Sequence, residues 1–582
     1  MTVARKIYEI LTPAERGAVV LLLGLMLIGM VFEMLGVGIV IPIIMLLTQP
    51  DYVERIPALA PLLATFENPS HEAMVIGATI GLVTVYLLKA LFLAFLAWRQ
   101  TRFAFGVQAQ VSQRLFTVYL RQPYTFHLQR NSAQLLRNVI GEANMFAIGA
   151  INSGMLLVTE ALVLLGLCSL LLIVEPLGTM IVVGMLGFAS WMFYRASRGR
   201  LLRWGTARQH HEGLRIQHLQ QGFGGAKDVK LLGRETEFLD QYRLHNVQSA
   251  RASQLQATLQ QLPRLWLELF AVCGLATLVL TMLFQGRALE AVLPTLGLFA
   301  AAAFRLMPSV SRVLGSIQSL HYGLSVIDIL NTELNLSAPV ADNDETIAAP
   351  FRDSLELDDV TFTYSGGSVP AVQGLSLTIH HGESVGFIGA SGSGKSTLVD
   401  ILLGLLAPDV GKVLLDGEDI QKNLRNWQDQ IGYVPQSIFL SDDTLRRNVA
   451  FGLPNDQIDE AAVWRTIDAA QLGEFVKSLP QGLDTRVGER GVRLSGGQRQ
   501  RIGIARALYH DPEVLVLDEA TSSLDTDTEH GITEAVNALH GSKTIIIVAH
   551  RLTTVERCDR LYRLEQGRIV GEGVPSKMPQ AN

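Results

Sequence analysis

The feature that most constrains this 582-residue chain is a set of apolar runs, confined to its first ~325 residues, each near or above the ~20 residues that a helix needs to cross a bilayer. Six such runs stand at roughly 18–47, 73–97, 147–173, 177–195, 263–285 and 290–312. They predict six spanning helices, and an even number returns the chain to the side on which it began. Cations crowd the connections after the second and fourth runs, between Arg99 and Arg137 and between Arg195 and Arg234, whereas the other connections carry little beyond Arg55 and Arg287. By the positive-inside rule both termini and both long connections face the cytoplasm of a multi-pass plasma (bacterial inner) membrane protein. The first run is far longer than the apolar core of a cleavable signal and shows no clear cleavage site, so it is expected to stay.

The helical pattern continues past the second and fourth runs without strong breakers until Gln122-Pro123 and Gly222-Phe223-Gly224-Gly225. Short segments at those turns, around 124–127 and 221–226, are candidates to carry movement between the two parts of the chain. On the other side, Ile56, Leu59, Ala60, Leu63 and Phe66 recur at helical spacing and suggest an interfacial helix over 53–66, against which Pro57 and Pro61 argue.

The last ~230 residues differ in kind, alternating strand and helix signals as a soluble α/β domain does. A polar, acidic, Pro-containing stretch at 331–354 reads as the linker, leaving 1–330 as the transmembrane domain and 355–582 as the soluble one. A net charge of −6 argues against a nucleic-acid-binding surface. Cys168, Cys273 and Cys558 form no C-x-x-C and are too few for a disulfide framework.

Within the soluble part, Gly389-Ala390-Ser391-Gly392-Ser393-Gly394-Lys395-Ser396-Thr397 fits the G-x-x-x-x-G-K-[ST] pattern and follows a short buried strand, 384–388. Glycines let successive backbone N–H groups converge on phosphate oxygens, and the helix that follows directs its positive end at the same anion. Lys395 offers a point charge to the β- and γ-phosphates of ATP, and the Ser396 hydroxyl a ligand to Mg²⁺. The expected domain is therefore an α/β P-loop nucleotide-binding domain. Farther on, Val514-Leu515-Val516-Leu517 is an apolar strand that ends in Asp518 and Glu519. Asp518 would hold Mg²⁺, and Glu519 would orient and polarise the attacking water, because phosphoryl transfer needs positioning and charge neutralisation above all.

Leu494-Ser495-Gly496-Gly497-Gln498 is the decisive stretch, a second phosphate-binding surface at a helix start. It resembles the signature of the ABC transporter superfamily, and the family's other motifs follow in order over 355–570. Tyr364 matches the aromatic that stacks on adenine, and Gln436 in Val434-Pro435-Gln436 the glutamine that reaches Mg²⁺. Ser523-Leu524-Asp525 matches the D-loop, His550 the residue that contacts the γ-phosphate, and Gly488-Glu489-Arg490-Gly491 the segment that couples to the partner's cytoplasmic helices. The resemblance implies ATP held between the phosphate loop of one cassette and Ser495, Gly496, Gly497 and Gln498 of another, hence a homodimer with two hydrolytic sites. Six spans before one cassette resemble an exporter half-transporter with the all-α transmembrane domain of that type.

Cargo must be read from the membrane half. Ionisable groups inside spans are costly and so are candidate substrate contacts: Lys89, Arg264, Arg305 and Arg312. Arg305, Ser309, Arg312, Ser316 and Ser319 fall at helical spacing and predict a polar stripe, which doubled in a dimer makes a cationic chamber suited to phosphate or pyrophosphate. The alternative is that Arg264 pairs with Glu268 one turn away while Lys89 and Arg312 snorkel. Phe32-Glu33 to Ile41-Pro42, Leu262-Pro263-Arg264 with Glu268, and Phe304 to Ser309 with Arg312 resemble the PglK-type flippases of lipid-linked oligosaccharides. That resemblance implies a polyprenyl-pyrophosphate-linked glycan as cargo. A general lipid (lipid A-like) or multidrug exporter is the alternative, and an ATP-gated channel or regulator a further one. With no cysteine-protease segment before the first span, peptide export with processing is not expected.

Overall fold

The computed structural model describes residues 3–39, 71–174, 176–284, 289–337, 350–520, 533–534, 536, 538–549 and 552–577. The chain divides into a helical unit within Met1–Pro339 and an α/β unit from Val340 onward.

Among the described residues of the first unit run six long helices, α1 (Pro13–Gly38), α2 (His71–Leu120), α3 (Ser153–Val174), α4 (Pro176–Gly224), α5 (Glu235–Phe284) and α6 (Leu289–Tyr322), followed by the shorter α7 (Leu324–Leu334). The start of α1 is fixed locally. Thr12 and Glu15 form a capping box, in which the Thr12 N–H donates to Glu15 Oε2 at 2.7 Å, and Pro13 takes the first helical position, where its missing N–H costs nothing. At 50, 49 and 50 residues, α2, α4 and α5 are each about 75 Å long, more than twice the ~30 Å of a bilayer's hydrocarbon core. Half of each must therefore project beyond it. Helix α2 ends at Leu120, just ahead of the Gln122-Pro123 breaker, and a short helix Tyr124–Gln129 follows; α4 ends at Gly224 and is followed by Ala226–Leu231.

Among the described residues, four helices are long and apolar enough to cross a membrane, at Pro13–Gly38, His71–Leu120, Ser132–Ile173 and Thr179–Gly224. The pair Ala303–Tyr322 and Leu324–Leu334, bent by 47°, is a fifth candidate. The remaining apolar run, 263–285, lies in α5, which also contains Pro263. Turns of π-helix at Asn138–Glu142 and Phe146–Asn152 precede α3. Between α3, α4, α5 and α6, the side chains of Val163, Leu167, Leu186, Leu267 and Leu306 pack together as one buried cluster. Leu91, Leu165, Ile173 and Leu265 point outward and are exposed, an apolar surface of the kind that lipid or a partner subunit covers. The candidate interfacial helix at 53–66 lies outside the described residues. In the stretch 331–354, α7 runs on to Leu334 and a strand begins at Ser354, so less of it is free linker than its composition suggests.

The second unit carries two sheets. β1 (Ser354–Phe362), β2 (Val372–His380), β4 (Val410–Leu415) and β5 (Glu418–Asp419) form an antiparallel sheet in the order β2-β1-β4-β5. β3 (Ser384–Ile388), β6 (Ile431–Val434), β7 (Val514–Asp518), β8 (Thr544–Val548), β9 (Arg560–Glu565) and β10 (Arg568–Gly573) form the other, in the order β10-β9-β3-β8-β7-β6. All its neighbours are parallel except β10 with β9. Strands β3, β7 and β8 are buried along their whole length, which is why they read as unbroken apolar runs and not as alternating ones. One core joins both sheets through Phe387, Leu398 and Tyr562; a second, with Val463, Ile467 and Ile502, packs the helices between β6 and β7.

Candidate functional site

In a parallel sheet, functional loops gather beyond the carboxyl ends of the strands, and the order β3-β8-β7-β6 brings the sequence motifs to one edge. The phosphate loop follows β3, Asp518 closes β7, and Gln436 lies two residues past β6. With one strand between β3 and β7, at about 4.8 Å per strand, loop and carboxylates lie about 10 Å apart, the span a phosphate chain and its metal would fill.

The loop's shape depends on glycine. Gly389 has φ +157°, and an added Cβ would sit 2.3 Å from the Leu564 carbonyl oxygen; Gly394, at φ +102°, would meet the Ala371 carbonyl oxygen at 2.6 Å. Helix α8 (Lys395–Leu402) starts immediately after it. Lys395 bends back over the loop and donates from Nζ to the carbonyl oxygens of Gly389 (2.8 Å) and Ala390 (2.9 Å). Burial pulls its pKa below the usual lysine value, against the raising influence of Glu519 and Asp518. Thr397 shares a 3.2 Å hydrogen bond with the hydroxyl of Tyr364, whose half-exposed ring also meets Phe362 edge-on at 5.1 Å.

Asp518 is buried at the end of β7. Glu519, next along, adopts φ +50°, a left-handed conformation that few non-glycine residues occupy; its N–H donates to the Val548 carbonyl at 3.0 Å. Gln436 Nε2 donates to its Oε2 at 2.6 Å. The hard oxygens of Ser396 and Asp518 suit Mg²⁺, which commonly takes one or two protein ligands and completes its shell with phosphate and water. His550 and Ser523, Leu524 and Asp525 lie outside the described residues.

Ser495 caps helix α9 (Gly496–Leu508): its Oγ accepts from the Gln498 N–H at 3.2 Å, and Gln498 Oε1 accepts from the Ser495 N–H at 2.9 Å. That box fixes Gly496 and Gly497 in the first helical turn, with their N–H groups at the positive end of the dipole. Arg490, in the segment before it, also has positive φ, +52°.

The cations of the membrane half are not bare. Lys89 Nζ and Arg305 Nη2 both donate to Glu33 Oε2, at 2.7 and 3.0 Å, joining α2 and α6 to α1. Arg312 grips Glu160 of α3 through two donors, one at 3.1 Å from Glu160 Oε2, and Arg264 pairs with Glu268 on its own helix at 2.9 Å. The expected strongly cationic chamber is thus corrected: four cations face three carboxylates. The polar stripe on α6 is corrected too, since Ser309 and Ser316 are buried among neighbouring helices while Arg312 is exposed and Arg305 half-buried. Glu33 and Glu160 are not singled out as counter-ions by the sequence reading, although a carboxylate inside an apolar run is the same signal that marks the cations.

Comparison with known proteins decides the family. The ABC transporter family model matches residues 372–522. An ATP-dependent lipid A-core flippase of Nitrosococcus oceani is 30% identical over 91% of this chain and 86% of its own length. Flippases of the same name from Alkalilimnicola ehrlichii (33%, 82% of this chain and 80% of the relative) and Cupriavidus pinatubonensis (31%, 82% and 81%) align over somewhat less of both chains. The chain belongs to the ABC exporters. The exporter shares its fold with a solved bacterial Atm1-family ABC exporter with ATP bound, at a TM-score of 0.78, 24% identity, and coverage of 96% of this chain and 95% of the other. Its cassette is an ATP hydrolase coupled to transport, built on a helical membrane unit. None of these comparisons supports the particular likeness to PglK-type flippases.

Proposed function

We propose that this exporter is an ATP-driven flippase of an anionic, lipid A-like glycolipid, working as a homodimer in the bacterial inner membrane with both termini and the cassettes in the cytoplasm. The observation that carries the reading is the extensive identity to lipid A-core flippases over four fifths or more of both chains. The cation excess at Lys89, Arg305 and Glu33 supports it, because a phosphorylated sugar head needs positive charge where it leaves water. The polyprenyl-pyrophosphate glycan of the sequence reading has the weaker support, since no relative above carries that name.

In this reading each site binds Mg²⁺-ATP between the phosphate loop of one protomer and the Ser495–Gln498 signature of the other. Tyr364 stacks on adenine, and the loop amides with Lys395 hold the phosphates. Ser396, Asp518 and Gln436 serve Mg²⁺, which would neutralise charge developing on the transferred phosphoryl group. Glu519 polarises the attacking water, and His550 contacts the γ-phosphate. Binding would draw the cassettes together and hydrolysis release them, switching access to Lys89, Arg264, Arg305 and Arg312.

The test is ATPase activity of the purified protein in nanodiscs, titrated with lipid A and with a polyprenyl-pyrophosphate oligosaccharide. Saturable stimulation by lipid A that Arg305→Gln abolishes, with ATP affinity unchanged, supports the reading; stimulation by the polyprenyl compound alone reverses the order of the two.

A further inference from the structure

Glu33 has a property that no other carboxylate in the described membrane helices shares: one of its oxygens, Oε2, holds two cations from two other helices, Lys89 at 2.7 Å and Arg305 at 3.0 Å. The cluster therefore carries one net positive charge in surroundings where uncompensated charge is costly. Lys89 is nine-tenths buried, and the Arg305 Nε, itself buried, has no hydrogen-bond partner. The site is built to receive Lys89. Gly36 leaves room for it, since an added Cβ would stand 3.3 Å from Nζ and 3.4 Å from Cδ; the Tyr86 ring lies 5.3 Å from Nζ, and its hydroxyl donates to the Gly36 carbonyl at 3.0 Å.

We propose that Glu33 is a built-in stand-in for the substrate's phosphate, a specificity-determining carboxylate that occupies Lys89 and Arg305 until a more highly charged headgroup displaces it. The proposal rests on the reading of the cargo as an anionic lipid. A single carboxylate offers one charge to two cations, whereas a phosphomonoester offers about one and a half to two negative charges and three acceptor oxygens, enough to satisfy the orphan Arg305 N–H as well. Displacement is therefore favourable for a phosphomonoester. It is unfavourable for a zwitterionic phospholipid, whose single phosphate charge is already offset by its own ammonium. Discrimination arises from the competitor that must be evicted, a repulsive element set against the wrong ligand. Because Glu33 is on α1 while its partners are on α2 and α6, eviction also unties three helices at the moment cargo arrives.

The experiment uses the full-length protein in nanodiscs of zwitterionic lipid. ATPase stimulation is titrated with bisphosphorylated lipid A, with a polyprenyl pyrophosphate, and with phosphatidylglycerol as a singly charged lipid, for wild type and Glu33→Gln. Removing the competitor should lower the half-stimulating concentration of whichever phosphorylated lipid activates wild type by about tenfold, and should let phosphatidylglycerol stimulate where it does not stimulate wild type. Should Glu33→Gln not fold, Glu33→Asp, whose shorter side chain lengthens both ion pairs, should shift the same midpoint about threefold in the same direction. Glu33→Gln/Lys89→Gln restores the wild-type net charge and should return the midpoint toward the wild-type value. An unchanged or higher midpoint in folded Glu33→Gln or Glu33→Asp overturns the stand-in role. A polyprenyl pyrophosphate that stimulates where lipid A does not overturns the lipid A reading and leaves the Glu33 comparison to be made on that lipid; silence to both overturns both.

Discussion

Gln436 reaches across from the end of β6 to Glu519 at the end of β7 and donates to its Oε2 at 2.6 Å. The bond ties the residue assigned to water activation to the one assigned to sensing the metal, and it does so on a Glu519 whose backbone is held at φ +50°. Positioned charge contributes most of the rate in phosphoryl transfer, so both residues should act on turnover more than on affinity. Glu519→Gln should lower kcat for ATP by about 10²–10³-fold or more, and Gln436→Ala by about 10-fold or more, each with ATP affinity within a few-fold of wild type. Steady-state ATPase kinetics beside equilibrium nucleotide binding separates the two parameters.

Asp400, in α8, has its pKa raised from the ordinary 3.8 to about 6, chiefly by burial and then by the neighbouring charge of Asp518. An acid that holds its proton more tightly folded than unfolded costs stability as pH rises from about 4 through about 6, and the full cost persists above that. Asp400→Asn should therefore stabilise the cassette transition at pH 7.5 by on the order of 1 kcal/mol, allowing for solvent screening, and leave it little changed at pH 4. Calorimetric melting of both proteins at the two pH values checks the difference.

Gly389→Ala would force a Cβ to within 2.3 Å of the Leu564 carbonyl oxygen and 2.8 Å of Ser393 Oγ. Backbone cannot move away cheaply inside a sheet, so we expect a loss of about 2–4 kcal/mol in cassette stability and ATP affinity lowered at least tenfold. Thermal melting and nucleotide titration report the two effects.

Ser495→Ala removes one half of the capping box on α9. Loss of such a cap costs about 1 kcal/mol of helix stability. Because the signature serves the partner's nucleotide, ATP-driven closure of the dimer, followed by distance measurement between labelled cassettes, should fall far more than ATP affinity does.

Within the described residues the elements of the cassette were legible because its motifs are local: a loop of nine residues, a strand ending in two acids, a capped helix start. Each acts through backbone geometry that its own neighbours determine, so Gly389 to Thr397, Asp518 and Ser495 stand where their spacing put them. The two long helix extensions were legible for the same reason, from Pro123 and the Gly224-Gly225 pair. Pairings in the membrane half were not. Lys89 meets Glu33 across 56 positions and Arg305 meets it across 272, separations over which no periodicity operates. Only Arg264–Glu268, one helical turn apart, was visible as a pair. Reading cations without their distant carboxylates overstated the charge of the chamber.

The most direct test of the account is translocation itself. Purified protein is reconstituted in liposomes with labelled lipid A in the outer leaflet and ATP supplied to outward-facing cassettes, and the label's passage to the inner leaflet is followed in wild type and Glu519→Gln. Transfer that needs ATP, fails in Glu519→Gln and is lost in Arg305→Gln is the predicted result. Transfer at equal rates with and without ATP, or none beside vigorous ATP hydrolysis, would contradict it.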